Sequence, residues 1–158
     1  MKILVAYYSH SGNTRKAATA LAGRLGAEIT EIKTEGRVNL AFGAMKAFLK
    51  MTAPIQPGRT DLASIDTLVI ATPVWAGKIP PYVTMYLSQV TGGDRKPFYV
   101  LMERGGPGSD RPVQIVRELL QKKGMHFVAS AEILEVMVKN NLYEDRIRLF
   151  AAAILGKA

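Results

Sequence analysis

The sequence predicts an α/β protein: a five-stranded parallel sheet with helices on both faces, a three-layer αβα sandwich. Three observations carry this. Five apolar, β-rich runs, at residues 3–8, 28–32, 67–72, 98–102 and 127–134, alternate with amphipathic stretches. The runs at 3–8, 67–72 and 98–102 are almost continuously apolar, as strands covered on both faces must be. The intervals leave room for crossover helices, and strands joined in that way run parallel through right-handed connections.

Each element has its own signal. After the first strand, Ala18, Leu21, Ala22 and Leu25 recur at i, i+3, i+4 and i+7 and define a helix with one apolar face. The second strand, 28–32, is followed by Met45, Phe48 and Leu49, which mark a second helix. Residues 52–64, with Pro54, Pro57 and Gly58, are the least regular stretch and read as a surface loop. The third strand leads to a helix marked by Val83, Tyr86, Leu87 and Val90. It is entered through Pro80-Pro81, a residue type tolerated in a first turn because the N–H there has no helical partner anyway. Val113, Val116, Leu119 and Leu120 mark the next helix, with Ser109 or Asp110 as its cap. Ile147, Phe150, Ala151 and Ile154 mark the last. There is no internal repeat, low-complexity segment or linker, so residues 1–158 are expected to form one domain.

Composition narrows the function classes. With 158 residues, 48% of them hydrophobic, the chain can bury one sizeable core. The absence of cysteine excludes a disulfide framework and a thiolate zinc site, and two histidines, His10 and His126, are too few for a histidine metal cluster. The opening apolar stretch is too short for a signal peptide, and no run approaches the ~18 apolar residues of a membrane span. A soluble, cytoplasmic protein is therefore expected. The charge of +8, from 21 Lys+Arg against 13 Asp+Glu, favours anionic partners such as an acidic protein. The basic residues are dispersed, in pairs at most, without interleaved aromatics, which argues against dedicated nucleic-acid binding.

In an open α/β sheet, ligands sit outside the carboxyl ends of the strands. Three loops leave strand ends with unusual chemistry. The first is Ser9-His10-Ser11-Gly12-Asn13-Thr14. Ser9, Ser11 and Thr14 offer hydroxyls, Asn13 an amide, and Gly12 a backbone free to turn its N–H inward. The helix that follows adds unpaired N–H groups and the positive end of its dipole. Together these solvate a phosphate, whereas a plain N-cap needs only one such side chain. Neither the Walker pattern nor the G-x-G-x-x-G fingerprint is present, and the adjacent Ser9 and His10 would point apart at a strand end, so hydrolase chemistry is not supported. The second loop, Thr72-Pro73-Val74-Trp75-Ala76-Gly77-Lys78, carries the only tryptophan. Its indole suits stacking on a flat ring, or folding back onto the core. The third, Glu103-Arg104-Gly105-Gly106-Pro107-Gly108-Ser109, lets backbone N–H groups approach a ligand edge, or is simply a flexible connection.

Ser9 to Thr14 resembles the [ST]-x-[ST]-G-N-T phosphate loop of the flavodoxin family, and "TPVWAGKIPPY" resembles that family's tryptophan-bearing flavin loop. The resemblance covers essentially the whole chain and implies strand order 2-1-3-4-5 with non-covalent FMN. By the same resemblance, Ser9, His10, Ser11, Gly12, Asn13 and Thr14 would form the phosphate loop. Trp75 would stack on the isoalloxazine, with Thr72 and Pro73 beneath it and Val74, Ala76 and Gly77 completing the loop. Gly105 and Gly106 would meet the pyrimidine edge, where Glu103 could accept from a ring N–H. The chain departs from electron-carrier flavodoxins, which are usually acidic and often cover the outer flavin face with a second aromatic. Here the charge is +8 and the third loop holds no aromatic. An uncovered face has room for a quinone or a nicotinamide, so the implied function is FMN-based electron transfer, either as carrier to a redox partner protein or as a quinone- or NAD(P)H-linked reductase. A basic interaction module that no longer binds flavin is the alternative from another class. The chemistry would belong to the flavin, with the protein supplying binding residues. Lys78 and Arg104 would raise its potential if either approached the pyrimidine edge.

Overall fold

The structure is a computed structural model and describes residues 1–35, 53–106 and 108–157. The helix expected around Met45, Phe48 and Leu49 lies outside the described residues. The elements are β1 (Ile3–Tyr7), α1 (Asn13–Leu25), β2 (Glu28–Glu31), β3 (Thr67–Pro73), α2 (Pro81–Gln89), β4 (Pro97–Arg104), α3 (Asp110–Gln121), β5 (His126–Leu134), α4 (Glu135–Lys139) and α5 (Glu144–Ile154). The five strands form one parallel sheet in the order β2-β1-β3-β4-β5.

The period of two along each strand builds the layers. Leu4, Ala6, Leu68, Ile70, Phe98, Val100 and Met102 share one core with Val83, Tyr86 and Leu87 of α2 and Val116 and Leu120 of α3. Ile3, Val5, Tyr7, Val69, Ala71, Tyr99 and Leu101 face the other way, against Ala17, Ala18 and Leu21 of α1 and Ile147, Phe150 and Ile154 of α5. Helix α1 stops at Gly26, whose φ of 60° places it in the left-handed region and whose N–H bonds the carbonyl of Gly23, while the N–H of Ala27 bonds that of Ala22.

The chain leaves β1 for β2 on one side and returns to β3 on the other. The strand order therefore reverses between β1 and β3, which opens a crevice at their carboxyl ends. The first and second loops flank that crevice, and the third leaves the neighbouring β4.

Two elements differ from the sequence reading. Helix α4 was not expected: its five residues are too few to show a helical period, and they follow directly on the end of β5. The irregular stretch expected as a surface loop also carries core residues. Leu62 is fully buried, and Ala53 and Ile55 join the same cluster, because this stretch covers the α2 side of the sheet. Among the described residues, no helix is long and apolar enough to cross a membrane.

Candidate functional site

After β1 the chain turns through Gly12, whose φ of +92° is accessible to glycine at little cost, whereas a side chain there costs about 1–2 kcal/mol. The Gly12 N–H donates to Ser9 Oγ at 3.1 Å. Helix α1 then begins with no side-chain cap bond and no acidic residue in its first turn. Its opening N–H groups and the positive end of its dipole therefore have no side-chain acceptor. Asn13 is only 7% exposed, and its amide nitrogen has no hydrogen-bond partner. A buried donor left in that state costs about 1–3 kcal/mol. An orphaned donor beside an uncapped helix start suits an anion that accepts from both. Ser9 is half-buried at this edge; His10 and Ser11 are exposed.

Thr14 is buried beside this edge. Its hydroxyl donates to Glu103 Oε2 at 3.3 Å, and both residues are buried. The bond ties the start of α1 to the end of β4.

Trp75 opens a tight turn. Its N–H donates to the Lys78 carbonyl at 2.8 Å, and the Lys78 N–H donates back at 2.9 Å. Ala76 and Gly77 form the tip with φ of 47° and 71°, both positive as in a type I′ turn. The indole sits edge-on to Tyr8, with centroids 5.6 Å apart, and to His10 at 6.0 Å. Tyr8 in turn stacks on Tyr82 at 5.3 Å. Trp75 thus packs on the core, yet it also lines a cavity of about 190 Å³. The same cavity is bounded by His10 and Ser11 of the first loop, Pro73 and Val74 of the second, Gly105 of the third, and the carboxylates Glu103 and Glu135. The remaining expected residues do not line it. Thr72 is buried in the sheet, where its hydroxyl donates to the Pro73 carbonyl at 3.1 Å. Ala76 and Gly77 are exposed at the turn tip, and Gly106 accepts from Arg104 Nη1 at 2.5 Å.

Burial raises the Glu103 carboxyl above its ordinary range. The Thr14 hydroxyl opposes this, the neighbouring Glu135 adds to it, and Lys139 and the Asn13 amide, which is near enough to act on the carboxyl but falls outside hydrogen-bond geometry, lower it. Glu135 pairs with Lys139 at 2.6 Å. A Cβ at Gly105 would stand 2.6 Å from Glu135 Oε2, so glycine there is what allows the carboxylate to come so close. Arg104 does not project into the cavity: its Nε pairs with Glu132 at 2.7 Å, and Glu132 also accepts from the Ser109 hydroxyl. Lys78 lies on the far side of the turn, lining a groove against α3. Neither cation lines the cavity, although Arg104 Nη1 also donates to the Gly106 carbonyl of the third loop. Ser109 precedes α3, as expected of a cap, but with its side chain given to Glu132 it makes no cap bond.

Across His10 lies a second hollow of about 610 Å³, reached by Tyr8, Ser9, Arg15, Ile32, Lys33 and Gln56. Sequence reasoning missed this hollow and Glu135. The rule that directed attention to the carboxyl ends of β1, β3 and β4 applies equally to the end of β2, which supplies the far wall.

A family model described as NADPH-dependent FMN reductase matches residues 1–137. The chain belongs to this family. Its cofactor is FMN, and its chemistry is electron transfer through that flavin, as carrier or reductase. Solved structures show the same fold. A Lactobacillus acidophilus flavoprotein in complex with FMN is 22% identical, with a TM-score of 0.73 over 88% of this chain and 97% of that one. A WrbA-like flavodoxin from Agrobacterium tumefaciens is 18% identical, with a TM-score of 0.68 over 96% and 93%. Oxidised Flavodoxin 2 from Bacillus cereus is 20% identical, with a TM-score of 0.67 over the full length of both chains. No curated protein matches the chain significantly in sequence. For this FMN reductase family member, the uncapped α1 and the orphaned Asn13 amide suit a flavin phosphate.

The buried carboxyl leads to a first expected result. A folded-state pKa above the ordinary value means that the charged form is penalised by folding. The stability associated with Glu103 is therefore fully present below the unfolded value and is lost as pH rises through the folded one. Glu103→Gln keeps an acceptor for the Thr14 hydroxyl and removes the titration. Thermal unfolding between about pH 4 and pH 8 should show the wild type losing stability relative to the variant as pH rises. Parallel curves would show that Glu103 ionises freely.

Proposed function

We propose that the chain is an NAD(P)H-linked FMN reductase and not a pure electron carrier. The observation that carries this reading is the boundary of the cavity beside Trp75: on the third-loop side it is formed by Glu103 and Gly105, and no residue from 103 to 109 brings an aromatic ring. A flavin face left without an aromatic cover is open to a second flat ring, as hydride delivery from a nicotinamide requires.

In this reading Ser9, Ser11 and Asn13, with the backbone N–H groups at the start of α1, hold the FMN phosphate. Charge-assisted bonds of this kind contribute about 1.5–3 kcal/mol each. Trp75, Pro73 and Val74 would bound one side of the ring, with Gly105 on the third-loop side and His10 at the rim. Glu103, held under the loop by Thr14, places a carboxyl of raised proton affinity on the third-loop side, suited to a hydrogen bond with a ring N–H or carbonyl. When bound, FMN supplies the capacity to take a hydride from NAD(P)H and pass electrons to an acceptor such as a quinone. Reliance on NAD(P)H supports the expected cytoplasmic location.

The test is NADPH oxidation by the FMN-loaded protein, with and without a quinone. Turnover that accelerates with quinone is expected; an FMN-loaded protein that leaves NADPH untouched would sink the reading. Because Trp75 is the only tryptophan, its emission should fall when FMN binds. Trp75→Ala should weaken FMN by about 0.5–1.5 kcal/mol beyond the lost contact area. Emission that ignores FMN would remove Trp75 from the site.

A further inference from the structure

We propose that the groove between α2 and α3 binds the adenosine-phosphate half of NADPH, with Arg111 beside the pyrophosphate and Lys122 beside the 2′-phosphate. This assignment rests on the reductase reading above. The groove encloses about 590 Å³, within the ~300–1,000 Å³ of small-molecule sites. Ile79, Pro81, Ile115 and Leu119 give it an apolar floor wide enough for a purine. Lys78, Arg111 and Lys122 set three cations on its walls against one carboxylate, Glu118.

The placement of the charges follows from helix geometry. Arg111, Ile115, Leu119 and Lys122 lie on one face of α3, and the rise of 1.5 Å per residue puts about 16 Å between its two cationic positions. Lys78 and Arg111 mark the end nearest the carboxyl edge of the sheet, and Lys122 the other. Neighbouring cations are already engaged. Lys123 donates to the carbonyls of Ser88 and Val90 at 2.8 and 2.9 Å, which joins the ends of α2 and α3 and closes the groove there. Arg117 lies 5.2 Å above the Phe127 ring. Arg111 and Lys122 form no ion pair or side-chain hydrogen bond among the described residues. Glu118, held by Gln114 Nε2 at 3.0 Å, offers an acceptor between the two cationic ends, where an exocyclic amine can donate.

The groove also adjoins the flavin-side cavity. Trp75 lines the cavity and Lys78 lines the groove, and the two residues are bonded across one turn. An extended dinucleotide with its nicotinamide on the Trp75 side crosses the turn and meets Lys78 and Arg111 first. The concave shape and closed end favour a small molecule over an acidic protein segment.

The experiment is calorimetric titration of the FMN-loaded protein with adenosine 2′,5′-bisphosphate, which requires no turnover, alongside steady-state kinetics with NADPH and NADH. R111Q and K122Q should each weaken the bisphosphate at least tenfold, and the charge-preserving R111K and K122R should restore most of that loss. K122Q should erode the preference for NADPH over NADH, whereas R111Q should raise KM for both. A wild type that does not bind the bisphosphate, or variants that bind it as the wild type does, would overturn the assignment. If the wild type oxidises NADPH yet the variants bind the bisphosphate normally, the groove assignment alone fails. If the bisphosphate binds in a way that depends on Arg111 and Lys122 but NADPH is not oxidised, the groove stands and the reductase reading fails.

Discussion

Ser11→Ala combined with Asn13→Ala is expected to lower FMN affinity by at least tenfold while leaving riboflavin binding near the wild-type value. The two ligands differ only in the phosphate, and these side chains lie where helix α1 starts without a cap. Losing two hydrogen bonds to a charged group removes about 3 kcal/mol or more, which is over a hundredfold if the contributions add; tenfold is the floor that allows for compensation by the helix N–H groups. The free protein should behave in the opposite sense. The Asn13 amide nitrogen is buried without a partner, so its removal should leave the stability of the flavin-free protein unchanged or higher. A site that costs stability when empty is the usual mark of a binding position. Isothermal titration with both ligands, together with unfolding of the flavin-free variant, reads both halves. Equal weakening of FMN and riboflavin would mean that these residues do not hold the phosphate.

Phe98→Ala should produce the largest loss of stability among these substitutions, about 3–5 kcal/mol. The ring is fully buried in the core shared with α2 and α3, and it packs against Phe127 with centroids 5.5 Å apart. Its truncation leaves a cavity that the surrounding strands close only in part. The measurement is the denaturant midpoint, with an unchanged slope showing that the folded and unfolded states are otherwise the same. Phe98 sits near the amino end of β4, away from the carboxyl edge that bears the loops. The folded variant should therefore bind FMN like the wild type, and saturating FMN should recover stability by mass action. A loss below about 1 kcal/mol would contradict the packing described for this face.

Much of the fold was legible in the chain because its signals are local. The apolar blocks at β1, β3 and β4, and the stripe Ala18, Leu21, Ala22, Leu25 in α1, each report burial within a window of a few residues. The loops at the carboxyl ends of β1, β3 and β4 were legible for a similar reason: glycine, hydroxyl and tryptophan positions are distinctive by type. The order of strands was available only through the resemblance to flavodoxins, since periodicity does not say which strand lies beside which. Helix α4 escaped because five residues carry no period, and the burial of Leu62 is hidden in the sequence by the prolines and glycine of the same irregular stretch.

The sequence by itself determined the α/β class, the parallel strands and the three loops at one edge, all of which follow from short-range pattern and residue chemistry. Tertiary structure alone decided what individual side chains do there. The Thr14 hydroxyl meets Glu103, 89 positions away. Arg104 reads as a cation for the flavin, but its guanidinium meets Glu132, 28 positions away. Lys78 neighbours Trp75 in the chain, yet a turn with two positive φ values sends it to a different groove. Hydrogen bonds and ion pairs act over about 3 Å in space. Partners far apart in the chain come within that distance only once the sheet has been assembled, and so no local pattern announces them.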